Sequence, residues 1–225
     1  MATPLRIATF VSHYHGAASL DALLSLDWLQ VVLLATDDPL LPHANAANRL
    51  WSHGWDEELR TCITRRGEAA GLTAYTGRIL DREFLQRFAD CRPDAIVCNV
   101  FGQRIPGRML QHVGYRAYNL HPTVPGLSLE ATRGARAIHK GAEYSTGLID
   151  FSLHRMSVEF DCGEILARSE PIVAPDSLRD LRNSTETLEF YRASADLPAS
   201  VIRGHLRGIV TRDLAEQFAV ATLDG

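Results

Sequence analysis

Three nearly continuous apolar runs, separated by stretches with helical spacing, constrain this chain more than any other feature. They are residues 6–12 (RIATFVS), 29–36 (LQVVLLAT) and 94–100 (DAIVCNV). A strand apolar on both sides belongs in a sheet covered on both faces, which is the setting of parallel sheets. Between the first two runs, Leu20, Leu23, Leu24 and Leu26 recur at helical intervals. Residues 57–70 are predicted helical, and 81–90 form a helix with Phe84, Leu85 and Phe88 on one face. A short strand is expected over 71–75, after the Gly71 stop. Strand and helix thus alternate over the first hundred residues, which predicts βαβ units. The fold class is α/β: a Rossmann-like, mostly parallel open sheet with helices on both faces.

Beyond residue 100 the pattern changes. A short strand is predicted at 115–118 and a helix at 134–140. Residues 145–153 and 165–172 read as a hairpin-like pair, linked by a loop that holds Asp161. Asp176 or Ser177 suits the cap of a C-terminal helix. Residues beyond 212 give no clear signal, and 40–56, with Pro42, Gly54, Trp51 and Trp55, fit no pattern. The organisation expected is one domain over 1–225, in which about 180–225 form a helical C-terminal extension.

Composition narrows the partners. A net charge of −4 and a pI near 6.1 lack the basic footprint of a nucleic-acid binder. No apolar run reaches membrane-spanning length, and the N-terminus leads straight into a strand, so the expected setting is the cytoplasm, with no membrane partner. Cys62, Cys91, Cys98 and Cys162 form no C-x-x-C pair, so no metal is expected.

In open α/β sheets, ligands bind beyond the carboxyl ends of the strands. Three segments qualify: 12–19, 99–107 and 119–123. The last reads Asn119-Leu120-His121-Pro122-Thr123, and Asp161-Cys162-Gly163 answers it forty residues on. Residues two apart on an extended segment point the same way, so Asn119 and His121 face one cleft. Pro122 keeps His121 extended. An amide can donate to a developing oxyanion, an imidazole can move a proton, and a carboxylate can orient the imidazole. Asp-Cys-Gly is also a good turn tripeptide, and the two readings coexist.

The segment 119–123 resembles the N-[IL]-H-P-S signature of the formyltransferases that use 10-formyltetrahydrofolate. A second block agrees. Residues 145–149 with His154 resemble the family's T-G-x-T-[VI]-H strand, and residues 161–166 (DCGEIL) its D-x-G-x-[IL]-[IL]. Gly134, His139 and the segments 171–173 and 176–178 fit as well. The resemblance implies a catalytic triad of Asn119, His121 and Asp161. It also implies a slot for the folate ring, formed by Phe101, Gln103, Arg104, Ile105 and Pro106 on one wall and Val158 and Glu159 on the other. An apolar slot with a few fixed polar groups suits a flat heteroaromatic ligand.

The activity implied is formyl transfer from 10-formyltetrahydrofolate, as co-substrate, to a primary amine of a small molecule such as an amino sugar nucleotide or an amino acid. Glycinamide ribonucleotide formylation, hydrolysis of the donor and a non-catalytic ligand-binding module are the alternatives. A nicotinamide oxidoreductase is disfavoured by the missing G-x-G-x-x-G. The expected partners are folate and the amine, and a homodimer is compatible with both.

Two segments depart from the family pattern. Residues 12–19 (SHYHGAAS) read as the first strand-to-helix turn, with fewer glycines than the phosphate-cradling loop of the glycinamide ribonucleotide enzymes. His13, Tyr14, His15, Gly16, Ser19 and Thr123 are expected to bind the acceptor. The loop 124–133 (VPGLSLEATR) is longer than in the family it resembles, and Glu130 or Arg133 either contacts the acceptor or belongs to a solvated loop, the second reading being preferred.

Overall fold

The computed structural model describes residues 3–41, 55–133, 137–144, 146–159, 161–179 and 184–223, with side chains to residue 216. Trp51, Gly134 and the first residue of the expected strand 145–153 lie outside the described residues.

The apolar runs become strands β1 (Leu5–Val11), β2 (Leu29–Ala35) and β3 (Ala95–Asn99). Between and after them come α1 (His13–Leu24), α2 (Glu57–Ala69), α3 (Arg82–Asp90) and α4 (Gly107–His112). Then follow β4 (Ala117–Thr123), α5 (Ala137–Glu143), β5 (Leu148–Arg155), β6 (Ile165–Arg168), β7 (Ile172–Val173), α6 (Ser184–Ala193) and α7 (Asp196–Leu223). The seven-stranded sheet runs β2-β1-β3-β4-β5-β6, with β7 on β5. Strands β2, β1, β3 and β4 are parallel, whereas β5 pairs antiparallel to β4, β6 and β7.

Pleating divides the core. Ile7, Val31, Val97, Tyr118, Leu120 and Leu153 turn to one face, against Leu23 of α1 and Ile202, Leu206 and Val210 of α7. Ala8, Phe10, Leu33, Ile96 and Cys98 turn to the other, against Phe84 and Phe88 of α3 and Met109 and Leu110 of α4. Successive residues of β1 and β3 serve opposite faces, as strand geometry requires. This is why both runs had to be apolar throughout.

Several expectations shift. Residues 71–75 form no strand among the described elements, only a parallel bridge from Tyr75 to Ala35. The strand expected at 115–118 runs to Thr123, so Asn119 and His121 lie inside it. The reason is β5, which pairs with β4 from Tyr118 to Thr123. The β3 ladder ends at Leu120, so Pro122 interrupts no pairing on that side. The expected strand 165–172 is two strands, because pairing with β5 lapses around Glu170-Pro171 and resumes where β7 meets Leu148 and Ile149. Asp176 begins a short 3₁₀ turn, Asp176–Arg179, and α6 starts only at Ser184.

The unread tail is the end of α7, and it is tied to the sheet. Tyr118 donates its hydroxyl to Asp213 at 2.5 Å, and Arg155 grips the same carboxylate at 2.6 and 3.0 Å. Burial raises the Asp213 carboxyl, but hydrogen bonds from Arg155 and Tyr118 outweigh it and hold the group below its ordinary value. Among the described residues no helix is long and apolar enough to cross a membrane.

Candidate active site

A cavity of about 360 Å³ opens beyond the carboxyl ends of β1, β3 and β4. Its polar floor comes from β4, β5 and the loop after β5. Asn119 and His154 are direct partners across the β4–β5 ladder, and Cys98 is the partner of Asn119 on β3. Directly paired residues share a face, so all three border the cavity while Tyr118 and Leu153 face α7.

Hydrogen bonds assign the protons here. Carbonyls only accept, so Nδ1–H of His154 donates to the Arg155 carbonyl at 3.1 Å. This leaves Nε2 of His154 to accept from the Asn119 amide at 3.1 Å. An amide nitrogen has two protons, so one of those on Asn119 remains for another acceptor. By the same logic, Nε2–H of His121 donates to the Thr132 carbonyl at 3.0 Å and its Nδ1 keeps a lone pair. Thr132 ends the 3₁₀ turn Leu129–Thr132, inside the long loop after Pro122.

Asp161 Oδ1 lies 3.8 Å from His154 Nε2, and both side chains are 2% exposed. Burial, reinforced by the neighbouring His121, pushes the His154 pKa down to about 4, so the ring is neutral near pH 7. The Cys98 thiol is raised far above its ordinary value by burial and then by Asp37 and Asp161. Asp161 adopts φ +50°, a left-handed conformation that Asp tolerates. Two residues on, a Cβ at Gly163 would lie 1.6 Å from the Arg155 carbonyl oxygen. Only glycine lets this loop lie on β5, which accounts for the D-x-G spacing.

One side wall comes from the loops after β3 and β5. Phe101, Gln103, Arg104 and Ile105 line it, opposite Met156, Ser157, Val158 and Glu159. Arg104 donates to the Val158 carbonyl at 2.5 Å and joins the two loops. Asp37, at the end of β2, accepts from the Gly102 amide at 2.6 Å and from Ser12 at 3.1 Å, so it fastens the first loop to the sheet. Gln103 turns its amide to Asp37, the Gly77 carbonyl and the Ile79 amide. Pro106 lies outside the lining and caps α4.

The opposite wall comes from α1, α5 and α6: His13, His15, Ala137, Ile138 and Tyr191. The turn expected at 12–19 is not a turn. Helix α1 begins at His13, and the Gly16 amide already donates to the Ser12 carbonyl at 3.0 Å. A glycine-rich phosphate cradle is therefore absent from this segment. Its residues separate by face. His13 and His15 line the cavity. Gly16 packs against Val11 and the Asn99 carbonyl, and Ser19 accepts from the Asn99 amide at 2.8 Å. Tyr14 lies under the Arg192 guanidinium, 5.0 Å from ring centre to Cζ. Thr123 is also outside the lining, in a buried cluster where Arg168 grips Asp150 at 2.8 and 3.0 Å and reaches Thr123 at 3.1 Å. Glu130 and Arg133 are likewise outside the lining.

The catalytic expectation named Asn119, His121 and Asp161, and all three border the cavity. It omitted His154 and Thr132. His154 was readable from the T-G…H block, as it occupies that block's histidine position. Thr132 acts through its backbone carbonyl, which no side-chain pattern announces. Among the described residues no group of three or more His, Cys, Asp or Glu is placed to hold a metal ion.

Comparison with known proteins gives a consistent answer. The profile of the family described as "Formyl transferase" matches residues 55–193. Methionyl-tRNA formyltransferase of Ehrlichia ruminantium (strain Gardel) is 30% identical over 131 residues, which are 57% of this chain and 42% of that protein. GDP-perosamine N-formyltransferase of Brucella melitensis biotype 1 is 37% identical over 87 residues, covering 37% of this chain and 31% of that one. The chain thus spans less than half the length of these curated relatives. Among solved structures, phosphoribosylglycinamide formyltransferase from Anaplasma phagocytophilum superposes with a TM-score of 0.62 at 13% identity, covering 93% of this chain and 88% of that one. A formyltetrahydrofolate deformylase from Pseudomonas syringae pv. tomato gives 0.59 at 18% identity, covering 92% and 63%. At these identities the superpositions show a shared fold.

Proposed function

Because the chain belongs to the formyl transferase family, we propose that it is an N-formyltransferase, moving a formyl group from 10-formyltetrahydrofolate to the primary amine of a small molecule. The observation that carries this reading is the floor of the cavity. There an amide with one uncommitted proton, a histidine with a fixed lone pair and a buried carboxylate border one space.

Each residue has a task in this reading. When the amine nitrogen attacks the formyl carbon, charge develops on the formyl oxygen. The second Asn119 proton donates to that oxygen. His154, which holds the first, sets the angle of the amide. His121 Nδ1 receives the proton shed by the attacking nitrogen, while the Thr132 carbonyl holds the ring. That proton balances the one gained by the folate N10 as its bond to the formyl carbon breaks. Asp161 stabilises positive charge as it appears on the imidazoles.

The folate ring is assigned to the slot between the two latched loops, with Ile105 and Phe101 as apolar wall and the backbone of 102–105 as polar edge. The two walls, joined through Arg104, suit a flat ring. Among acceptors, an amino sugar nucleotide or an amino acid fits better than glycinamide ribonucleotide, since the phosphate-cradling turn is replaced by helix. The relative named GDP-perosamine N-formyltransferase supports the same direction.

Incubation of the protein with 10-formyltetrahydrofolate and a panel of amines, followed by mass spectrometry of products, tests this. The expected result is a formamide at the cost of one folate formyl group. Rapid release of formate without amine identifies a hydrolase instead. No consumption of the donor under any condition sinks both.

A further inference from the structure

The wall built by α1, α5 and α6 differs chemically from the rest of the cavity. His13, His15 and Tyr191 form a continuous aromatic surface. The ring centres of His13 and Tyr191 are 4.9 Å apart, and those of His15 and Tyr191 are 5.5 Å apart. Ile138 adds an aliphatic edge and packs in the same core as Tyr191. Among the described lining residues the one formal cation is Arg104, which belongs to the other wall and already donates to the Val158 carbonyl. The formal anions in the lining are Glu159 and Asp161. Among the described lining residues, a phosphate drawn toward this wall would meet two carboxylates, and the one guanidinium lies on the opposite wall.

His15 is set up to accept a hydrogen bond. The Ser194 hydroxyl proton goes to the Phe190 carbonyl at 2.7 Å. The Ser194 oxygen can therefore only accept from His15 Nε2, at 2.8 Å. The proton is thereby placed on Nε2, and Nδ1 holds the lone pair. Burial keeps the ring neutral, with its pKa down to about 3, so it binds a proton-bearing group without taking the proton.

Resting on the formyl-transfer reading, we propose that the α1–α5–α6 wall is the acceptor subsite and selects a primary amine carried on a neutral ring, with no phosphate beside it. The ring packs on Tyr191 and His13, and Nδ1 of His15 accepts a hydrogen bond from a donor group of the acceptor. A nucleotide-linked amino sugar meets this description when its sugar enters and its diphosphate stays outside.

The test uses two pairs of probes with the full chain and 10-formyltetrahydrofolate: tyramine against its O-phosphate, and glycinamide ribonucleoside against glycinamide ribonucleotide. In each pair, kcat/KM is expected to be about tenfold or more higher for the phosphate-free member. His15→Leu is expected to raise the amine KM about tenfold, by removing the hydrogen bond, with a smaller effect on the folate KM. Tyr191→Leu serves the same purpose if His15→Leu fails to fold, which a thermal melt reports. Formylation with the phosphorylated member equal or better overturns the subsite and leaves formyl transfer standing. Formate release without any formamide overturns the transfer reading, and the subsite with it.

Discussion

Asn119 has two amide protons, and His154 occupies one of them. In the proposed mechanism the whole catalytic value of this residue lies in the other. Asn119→Ala should therefore lower kcat by about 100- to 1,000-fold with a small change in the folate KM, as expected on losing one oxyanion donor. Steady-state kinetics with the donor varied decide it, and an unchanged kcat would remove Asn119 from the mechanism. At this scale the sequence brings side chains to the right place without naming all of them: His154, in the T-G…H block, is passed over although its ring holds the Asn119 amide. Asn119, His121 and Asp161 are named by the family resemblance on top of their chemistry and spacing, and each borders the cavity. It was illegible where backbone acts: the Thr132 carbonyl that fixes the His121 tautomer belongs to a residue whose own hydroxyl turns to Leu129. Gly16 and Ser19 misled because small residues suit both a phosphate turn and a tight helix–strand contact, and only packing against Asn99 distinguishes the two.

Strands β4 and β5 each serve two sides of the sheet. Asn119 and His154 face the cavity, while the adjacent Tyr118 and Arg155 hold Asp213 of α7. Removing the charge from Asp213 leaves a partly buried guanidinium without its partner. Asp213→Asn should thus cost about 3 kcal/mol of stability, read from urea denaturation. The loop after β5 is equally constrained. Gly163→Ala places a methyl group inside the Arg155 carbonyl. It should cost roughly 3 kcal/mol and displace Asp161, so activity should fall further than the population of folded protein does. A variant that melts and turns over like the parent would contradict the contact. Elements were readable in the parallel half, where continuous apolar runs leave few alternatives. They were less readable past residue 115, because the extent of β4 is set by its pairing with β5. Likewise, Asp213 ties α7 to the sheet through a buried carboxylate that no apolar spacing announces, beside Ile209, Val210 and Leu214 on the core.

The molecule as a whole holds two imidazoles in the neutral form. His15 and His154 have their pKa values pushed from 6.5 down to about 3 and about 4, mainly by burial. Unfolding returns them to water, where they bind protons below about pH 6.5. Stability is therefore full above pH 6.5 and falls as pH drops, by up to about 1.4 kcal/mol per pH unit for each ring. The His154 contribution to the slope ends near pH 4, and that of His15 near pH 3. Asp213, held below its ordinary value of 3.8, acts in the same sense: its contribution is present above that value and is lost at more acidic pH. Urea titrations at pH 7.5, 6.0 and 5.0 should show the fall, and His15→Gln should flatten it. A stability that rises on acidification would mean these rings are charged in the native state.

One consequence concerns how such a protein can change its substrate. The groups assigned to the chemistry sit on the paired strands β4 and β5 and the loop after β5, whereas those assigned to the amine sit on helices α1, α5 and α6. On the proposed function, selection on the helical wall redirects the transfer to a new amine while the strands inherit the reaction unaltered. A chimera exchanging residues 137–193 between two relatives should inherit acceptor preference from that insert, apart from what α1 contributes. That segment also contains His154 and Asp161, so the exchange must keep those two positions if the reaction is to survive the change of diet.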